Sequence, residues 1–195
     1  MFNQPLEFKF VQRNSNKYGK YSYECEYIYK FFYQDVEKKN RRKYIVEIKQ
    51  YSQSHFRVDF YATLSSKEKD FRNFDISKYR YVTKAGGANR VAVTVFAILG
   101  SLRKVFPDMS FGLQAAALIG EGSDSNNRRF QAYEKILASV TGASENFWEV
   151  FAYPEDSYIF VIQSRFSEHS TLIINEYGRI FGKVFSGSEE GPDAS

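Results

Sequence analysis

The most constraining feature of the sequence is a strict two-residue alternation near its N-terminal end. From Tyr21 to Phe31 every second residue is aromatic or apolar, and the residues between them are mostly polar. Because successive side chains of a strand point to opposite faces of a sheet, this pattern predicts a half-buried strand. Similar alternation at residues 44–50 and 56–62, with a polar hairpin loop at residues 35–43, predicts an antiparallel meander. A short fourth strand is predicted at residues 79–82.

The apolar period then changes to that of a helix. Between residues 89 and 106 apolar side chains recur three or four positions apart, and Pro107 ends the pattern. A second helix is predicted at about residues 127–140, after a small-residue apolar run at residues 111–119 that indicates a buried strand. Further strands are predicted at residues 158–163, 171–175 and 179–185, with a turn at residues 176–178.

This order of elements predicts one α+β domain over residues 1–186. The meander occupies residues 1–64, a β-α-β-α-β core occupies residues 79–140, and C-terminal strands occupy residues 141–186. We expect a strongly bent central sheet with at least one parallel strand pair around the first helix. Residues 187–195, rich in Ser, Gly and Glu, are expected to be a disordered tail.

Composition restricts the class of protein. The chain has 195 residues, 18% of them aromatic, and its one cysteine, Cys25, cannot form a disulfide within the chain. We therefore expect a core held by packing in a reducing compartment. The first residues do not read as a signal peptide, and no apolar run is long enough to cross a bilayer, so a soluble, cytoplasmic protein is expected.

Charge is divided unevenly along the chain. Residues 1–106 carry 21 Lys and Arg against 10 Asp and Glu, whereas the remaining residues carry 6 against 13. A run of cations at residues 38–43 with tyrosines nearby allows nucleic-acid binding, although such a run on a hairpin tip is more often a solvated loop. Two histidines, His55 and His169, without a cysteine cluster or an HExxH motif predict no metal site.

A glycine-bearing turn joins the predicted fourth strand to the first helix at residues 81–91. Backbone N–H groups and the helix dipole converge on an anion in a strand-turn-helix arrangement of this kind. Lys84 and Arg90 add positive charge to it. The simpler interpretation is that Gly86 and Gly87 only allow a tight turn.

The element order and this loop resemble the GNAT acyltransferase family (Gcn5-related N-acetyltransferases). Gly86 and Ala88 match the small positions of the family's pyrophosphate loop, whereas Thr83 stands where the family has Arg or Gln. The resemblance implies acetyl-CoA as cofactor. It would be bound by Thr83, Lys84, Gly86, Gly87, Ala88, Asn89, Arg90 and Asn126.

The second predicted helix extends the resemblance. Asn126, Ala132 and Tyr133 resemble the family's pattern of Asn, Ala and Tyr, in which the Tyr can protonate the leaving CoA thiolate. Tyr133 is therefore the candidate catalytic residue, and the alternative is a core tyrosine on an apolar helix face. Asp75 and Glu47 are candidate carboxylates for removing the amine proton. Amides near Val82 and Thr83 are candidate oxyanion donors.

A closer resemblance is to uncharacterised GNAT-like proteins of bacteriophages. It is carried over residues 79–137 by Thr83, Gly86, Ala88, Arg90-Val91, Thr94-Val95, Arg129 and Ala132-Tyr133. It implies the cytoplasm of the host cell as location. Thr83 departs from the family's Arg or Gln, aromatic residues are abundant, and positive and negative charge lie in different parts of the chain. We therefore expect a non-catalytic adaptor that acts through protein partners, and we also expect that it can associate with itself. The alternative is an active acetyl-CoA-dependent N-acyltransferase, and nucleic-acid binding is a third hypothesis.

Overall fold

A computed structural model describes residues 4–16, 19, 22–35, 40–63, 88–115, 127–142 and 147–185. These residues form a seven-stranded sheet and three α-helices. The strands are β1 (Phe8–Ser15), β2 (Cys25–Asp35), β3 (Asn40–Gln50), β4 (His55–Ala62), β5 (Ser110–Gln114), β6 (Trp148–Tyr153) and β7 (Tyr158–Gln163). The α-helices are α1 (Ala88–Arg103), α2 (Arg128–Gly142) and α3 (Ser170–Phe181), with a 3-10 helix at Ser164–His169. The predicted α+β class is confirmed at this level.

The strand order is β1-β2-β3-β4-β5-β7-β6, and every neighbouring pair is antiparallel except β4 with β5. The predicted meander is confirmed as β2, β3 and β4. Its alternating face is buried at Cys25, Tyr27, Tyr29 and Phe31. The predicted hairpin loop is too long, because β3 already begins at Asn40, so that Arg41, Arg42 and Lys43 belong to a strand.

An additional strand, β1, precedes the predicted meander. It pairs antiparallel with β2 at the edge of the sheet, with an irregularity in register between Phe10 and Gln12. The segment before it is attached to α1, because the Thr94 hydroxyl accepts the Leu6 N–H at 2.9 Å and donates to the Arg90 carbonyl at 2.7 Å. Thr94 is fully buried, so this residue of the phage-type pattern has a structural role in the described chain.

The predicted parallel strand pair around the first helix is confirmed. Helix α1 connects β4 to β5, and the two strands pair in register from His55 with Ser110 to Val58 with Leu113. The sequence placed the strand before this helix at residues 79–82, which lie outside the described residues. The parallel partner of β5 is instead the third strand of the predicted meander.

Both faces of strand β7 are buried, and each face contributes side chains to a different hydrophobic cluster. Ile159 and Val161 belong to the larger cluster, which the inner faces of α1 and α2 complete. Tyr158, Phe160 and Ile162 point the other way, into a second cluster under α3. Helices therefore cover both faces of this part of the sheet.

The predicted C-terminal strands are wrong beyond β7. Residues 171–175 and 179–185 were expected to be strands around a turn, but α3 occupies residues 170–181 and Gly182 ends it in the left-handed conformation, φ 64°. Gly178 lies inside the helix and is needed for close packing, since a Cβ there would lie 2.6 Å from the Lys183 carbonyl oxygen. Strand β6 was not predicted.

The tail expected at residues 187–195 lies outside the described residues. Within the described part of the chain, no helix combines the length and the apolar character that crossing a bilayer requires.

Candidate functional site

A small apolar pocket lies between α1, α2 and the parallel strand pair. Its cavity volume is about 10 Å³, on the order of the space that one water molecule needs. Phe60 comes from β4 and Leu113 from β5, while α1 and α2 supply the other walls. The lining residues are Phe60, Ala92, Val95, Phe96, Leu113, Tyr133 and Leu137.

The two parallel strands diverge at this pocket. Their register ends at Val58 and Leu113, although β4 continues to Ala62. Beyond that point β4 remains paired with β3, whereas β5 follows β7, with the Ala115 N–H bound to the Ser157 carbonyl at 2.9 Å. The last part of β4 therefore has a strand neighbour on one side only among the described strands.

Hydrogen-bond alternation determines which β4 amides face the gap. In an antiparallel pair the N–H groups of successive residues point alternately toward and away from the partner strand. The Thr63 N–H donates to the Lys43 carbonyl of β3 at 2.8 Å. The N–H groups of Ala62 and Phe60 therefore point away from β3, toward the side from which β5 has diverged.

Tyr133 lies on α2 at the same gap. Its ring packs against that of Phe60, with the ring centroids 5.2 Å apart, and no described residue forms a hydrogen bond with its hydroxyl. Burial raises the pKa of Tyr133 to about 12, an effect that the charge of Arg129, one turn earlier on α2, partly opposes. Tyr133 is thus half-buried at the pocket as a neutral hydroxyl. Its ring packs against the larger buried cluster, as the alternative of a core tyrosine predicts, and its catalytic role stays a prediction.

The predicted cofactor loop is described only at its helical end. Ala88 and Asn89 lie in the first turn of α1, which confirms that a helix follows the glycine turn. Arg90 is half-buried, and its Nε donates to the Gln4 carbonyl at 3.4 Å. The remaining predicted ligands lie outside the described residues: Thr83, Lys84, Gly86, Gly87 and Asn126.

The neighbour of Asn126 has a structural role that the sequence reasoning missed. The Asn127 side chain is buried, and its Oδ1 accepts the Phe130 N–H at 3.0 Å, which caps the first turn of α2. Its Nδ2 donates to the Ala115 carbonyl, at the end of β5, and to the Ser157 hydroxyl. Asn127 therefore attaches the helix that carries Tyr133 to the strand that forms one edge of the gap.

The candidate carboxylate Glu47 lies on the other face of the sheet from the pocket. It accepts a hydrogen bond from the Tyr61 hydroxyl at 2.6 Å, and burial together with this bond raises the pKa of Tyr61. Glu47 is opposite Asp59 in the β3–β4 register. The other candidate, Asp75, and the amides near Val82 lie outside the described residues.

Asp59 was not identified from the sequence. Its carboxylate is buried and forms ion pairs with Arg57 at 3.0 Å and Lys49 at 3.8 Å. Arg57 also donates to the Gln114 amide oxygen at 3.4 Å, which spans the two diverging strands. Alternation along β4 places Arg57 and Asp59 on one face and Phe60 on the other, a relation that appears only once the strand is paired.

Among the described residues no group of three or more His, Cys, Asp and Glu side chains could hold a metal ion. Comparisons of the chain with protein-family models, with curated proteins and with solved structures find no match.

Proposed function

We propose that this protein is a GNAT-like N-acyltransferase that takes its acyl group from acetyl-CoA. One observation carries the proposal: the N–H groups of Phe60 and Ala62 point away from β3 toward the gap between β4 and β5, and the Tyr133 ring packs against Phe60 beside that gap. Such a gap offers a hydrogen-bond donor for a thioester carbonyl and a second donor for a thiolate. The described elements follow one another in the order β-β-β-β-α-β-α-β-β-α, which supports the resemblance from which the proposal starts.

The reaction transfers an acyl group directly. A neutral amine, having lost its extra proton to solvent, attacks the thioester carbon; the N–C bond forms and the C–S bond breaks. Negative charge develops first on the carbonyl oxygen and then on sulfur, and the amide product releases the second amine proton. The Phe60 N–H would stabilise the oxygen, because an amide held in a strand needs no reorganisation to do so.

Tyr133 would act on the leaving sulfur. Since its pKa is about 12, its hydroxyl stays protonated at neutral pH and remains a donor. An ordinary thiol has a pKa of about 8.5, so complete transfer of the proton from Tyr133 to a thiolate is uphill by roughly 3.5 units. The favourable role is hydrogen-bond stabilisation of the thiolate, with the final proton supplied by the amine.

The cofactor's pyrophosphate would lie at the start of α1. This helix begins at Ala88, directly after Gly86 and Gly87 in the sequence, and the first N–H groups of a helix have no partner within it and favour an anion. Thr83, Lys84, Gly86, Gly87, Asn89, Arg90 and Asn126 remain proposed ligands on the family resemblance. Bound acetyl-CoA would supply the activated thioester.

The first test separates binding from transfer. Acetyl-CoA and CoA are titrated calorimetrically into the wild type, Tyr133→Phe and Gly86→Glu, and release of CoA thiol is followed with spermidine or a lysine peptide as acceptor. We expect Tyr133→Phe to bind acetyl-CoA normally and to transfer about tenfold more slowly or worse, because it lacks the donor. Gly86→Glu is expected to abolish binding.

Tyr153→Phe is the matched control, because Tyr153 lies on β6 in the second cluster, on the far side of β7 from the gap. It should leave both binding and transfer unchanged. No detectable binding of acetyl-CoA by folded wild-type protein would refute the proposal. Equal loss of transfer in both Tyr variants would remove Tyr133 from the mechanism.

A second candidate function is the non-catalytic adaptor. The observation in its favour is the outer strand β1, where Phe10 and Val11 are 54% and 43% exposed. An unpaired strand edge with apolar side chains can accept a strand from a partner protein or from another copy of the chain. A folded protein that binds no acetyl-CoA but loses a partner on Phe10→Ser would favour this function.

A further inference from the structure

Four cations from three strands converge on one end of the sheet. Lys9 lies on β1, Lys30 on β2, and Arg41 and Lys43 on β3. The register places Lys9 opposite Lys30, and Lys43 opposite Phe32. Because directly paired residues share a face, as do residues two apart on one strand, all four cations lie on the same face, opposite the buried core. We call these four residues the cationic end.

The arrangement of the cationic end costs stability. Like charges placed directly opposite one another on adjacent strands are destabilising, and Lys9 and Lys30 are such a pair. The carboxylate in ion-pair range is that of Glu7, 4.0 Å from Lys9, and both side chains are at least 70% exposed, so it compensates little. A local conflict of this kind is typical of a functional surface.

The other carboxylates on this face are already engaged. Glu26 accepts a hydrogen bond from the Asn14 amide at 3.0 Å, Glu47 from the Tyr61 hydroxyl, and Asp59 is held by Arg57 and Lys49. Glu26 lies toward the opposite end of β2 from Phe32, whereas Glu47 is two residues from Ile45, the register partner of Lys30, and Asp59 is opposite Glu47. Among the described residues, the three carboxylates form these contacts with groups other than the four cations of the cationic end.

An exposed aromatic ring lies within the cationic end. Phe32 is 43% exposed, and the Arg41 guanidinium carbon lies 4.2 Å from its ring centroid. A phenyl ring and a guanidinium plane are the two groups on which unpaired nucleobases stack, while lysines beside them meet the phosphates. An acidic protein partner would use the cations but would not require the ring.

We propose that the cationic end binds single-stranded nucleic acid, with Lys9, Lys30 and Lys43 on phosphates and with a base on Phe32 or Arg41. The surface is on the opposite face of the sheet from the Tyr133 pocket, so the proposal is independent of acyl transfer. Arg41 and Lys43, from the run of cations at residues 38–43, belong to this surface. Lys9 and Lys30 join it through sheet pairing.

The test measures the fluorescence anisotropy of a labelled 20-nucleotide oligothymidine between low and moderate salt. Three phosphate contacts predict a slope of log K against log salt of about −2, since each contact on a single strand contributes roughly −0.7. Lys30→Gln/Lys43→Gln should weaken binding and reduce the steepness of the slope by about 1.4. Lys104→Gln/Lys135→Gln, which removes two exposed charges from α2 and the end of α1, should change neither.

Phe32→Ala tests the ring separately from the charges. We expect about a fivefold or greater loss of affinity with the salt slope unchanged, because stacking carries no counterion release. Tyr133→Phe should bind the oligonucleotide as the wild type does. The proposal would be overturned if the wild type did not bind the oligothymidine at low salt, or if the two double lysine variants weakened binding equally. It would also be overturned if the protein bound duplex DNA more tightly than the single strand and Phe32→Ala had no effect.

Discussion

At the scale of single residues, His55 is a titratable side chain whose pKa depends on its surroundings. Its Nδ1 lies 2.9 Å from the Ser52 hydroxyl and 3.1 Å from that of Ser54, and its buried Nε2 has no hydrogen-bond partner among the described residues. The ring packs edge-on against Tyr177. Burial lowers the pKa of His55 below 6.5, an effect that the negative charge of Glu176 partly opposes.

This environment predicts a stability that depends on pH. Since the folded state binds a proton on His55 less readily than the unfolded state does, the free energy of unfolding falls as the pH drops below about 6.5. Urea denaturation at pH 7.5 and 5.5 should show the wild type less stable at the lower pH. His55→Gln should lose part of that difference, and His169→Gln, at an exposed position, should keep it. An unchanged difference in His55→Gln would contradict the assignment.

Sequence patterns identified Tyr133 as a site candidate but could not describe its surroundings. Helical spacing places it on the apolar face of α2, whereas its approach to Phe60 depends on how β4 is paired. Asn126 and Asn127 illustrate the same limit. Both are suitable helix caps by residue type, and the contacts of Asn127 with Phe130 and Ala115 show that it fills this role.

At the scale of elements, periodicity predicted the meander strands β2, β3 and β4, the helices α1 and α2 and the strand β7 well. Helices α1 and α2 and strand β7 lie close to their predicted bounds. Strand β1 was missed because most of its residues are exposed, so it has little hydrophobic alternation. Helix α3 was missed because Ile173 and Ile174 favour a strand and Gly178 suggested a turn. Gly178 is needed because the Lys183 carbonyl oxygen packs against the helix at this position, which the local sequence does not reveal.

Two glycines inside helices should respond oppositely to alanine. At Gly178 the added Cβ meets the Lys183 backbone carbonyl, so Gly178→Ala should lower the free energy of unfolding by about 1–3 kcal/mol. At Gly100 no atom of the described residues outside the surrounding helical backbone lies within 4 Å of an added Cβ, and Gly100→Ala should raise the free energy of unfolding by about 0.5–1 kcal/mol. Thermal and urea denaturation measure both. Destabilisation by both substitutions would contradict this account of the packing.

At the scale of the whole molecule, the two buried clusters are joined through Tyr177. Its ring belongs to the second cluster, while its hydroxyl donates to the Phe56 carbonyl and accepts the Phe56 N–H, each at 3.1 Å. It also lies 3.1 Å from the Ser110 hydroxyl. Helix α3 is thereby attached to both parallel strands, so the clusters should unfold together.

Ile174→Ala tests this coupling. Ile174 is buried in the second cluster, and the substitution should cost about 2–5 kcal/mol. Trp148, the single tryptophan, packs against the other cluster, so its fluorescence reports on a distant part of the molecule. We expect the fluorescence and circular-dichroism transitions to shift equally. Leu172→Ala, exposed on the same helix, should shift neither, and a fluorescence transition that ignores Ile174→Ala would show independent unfolding.

The insertion of β7 between β5 and β6 has a consequence for synthesis of the chain. When the ribosome has made β6, the space beside β5 that belongs to β7 is still empty, and β6 has no neighbour in the sheet. The nascent chain therefore presents an open strand edge until residue 163 emerges, and the second cluster stays uncovered until α3 follows. Productive folding of this sheet must wait for β7 and α3, and slow synthesis of these two elements would prolong exposure to misassociation.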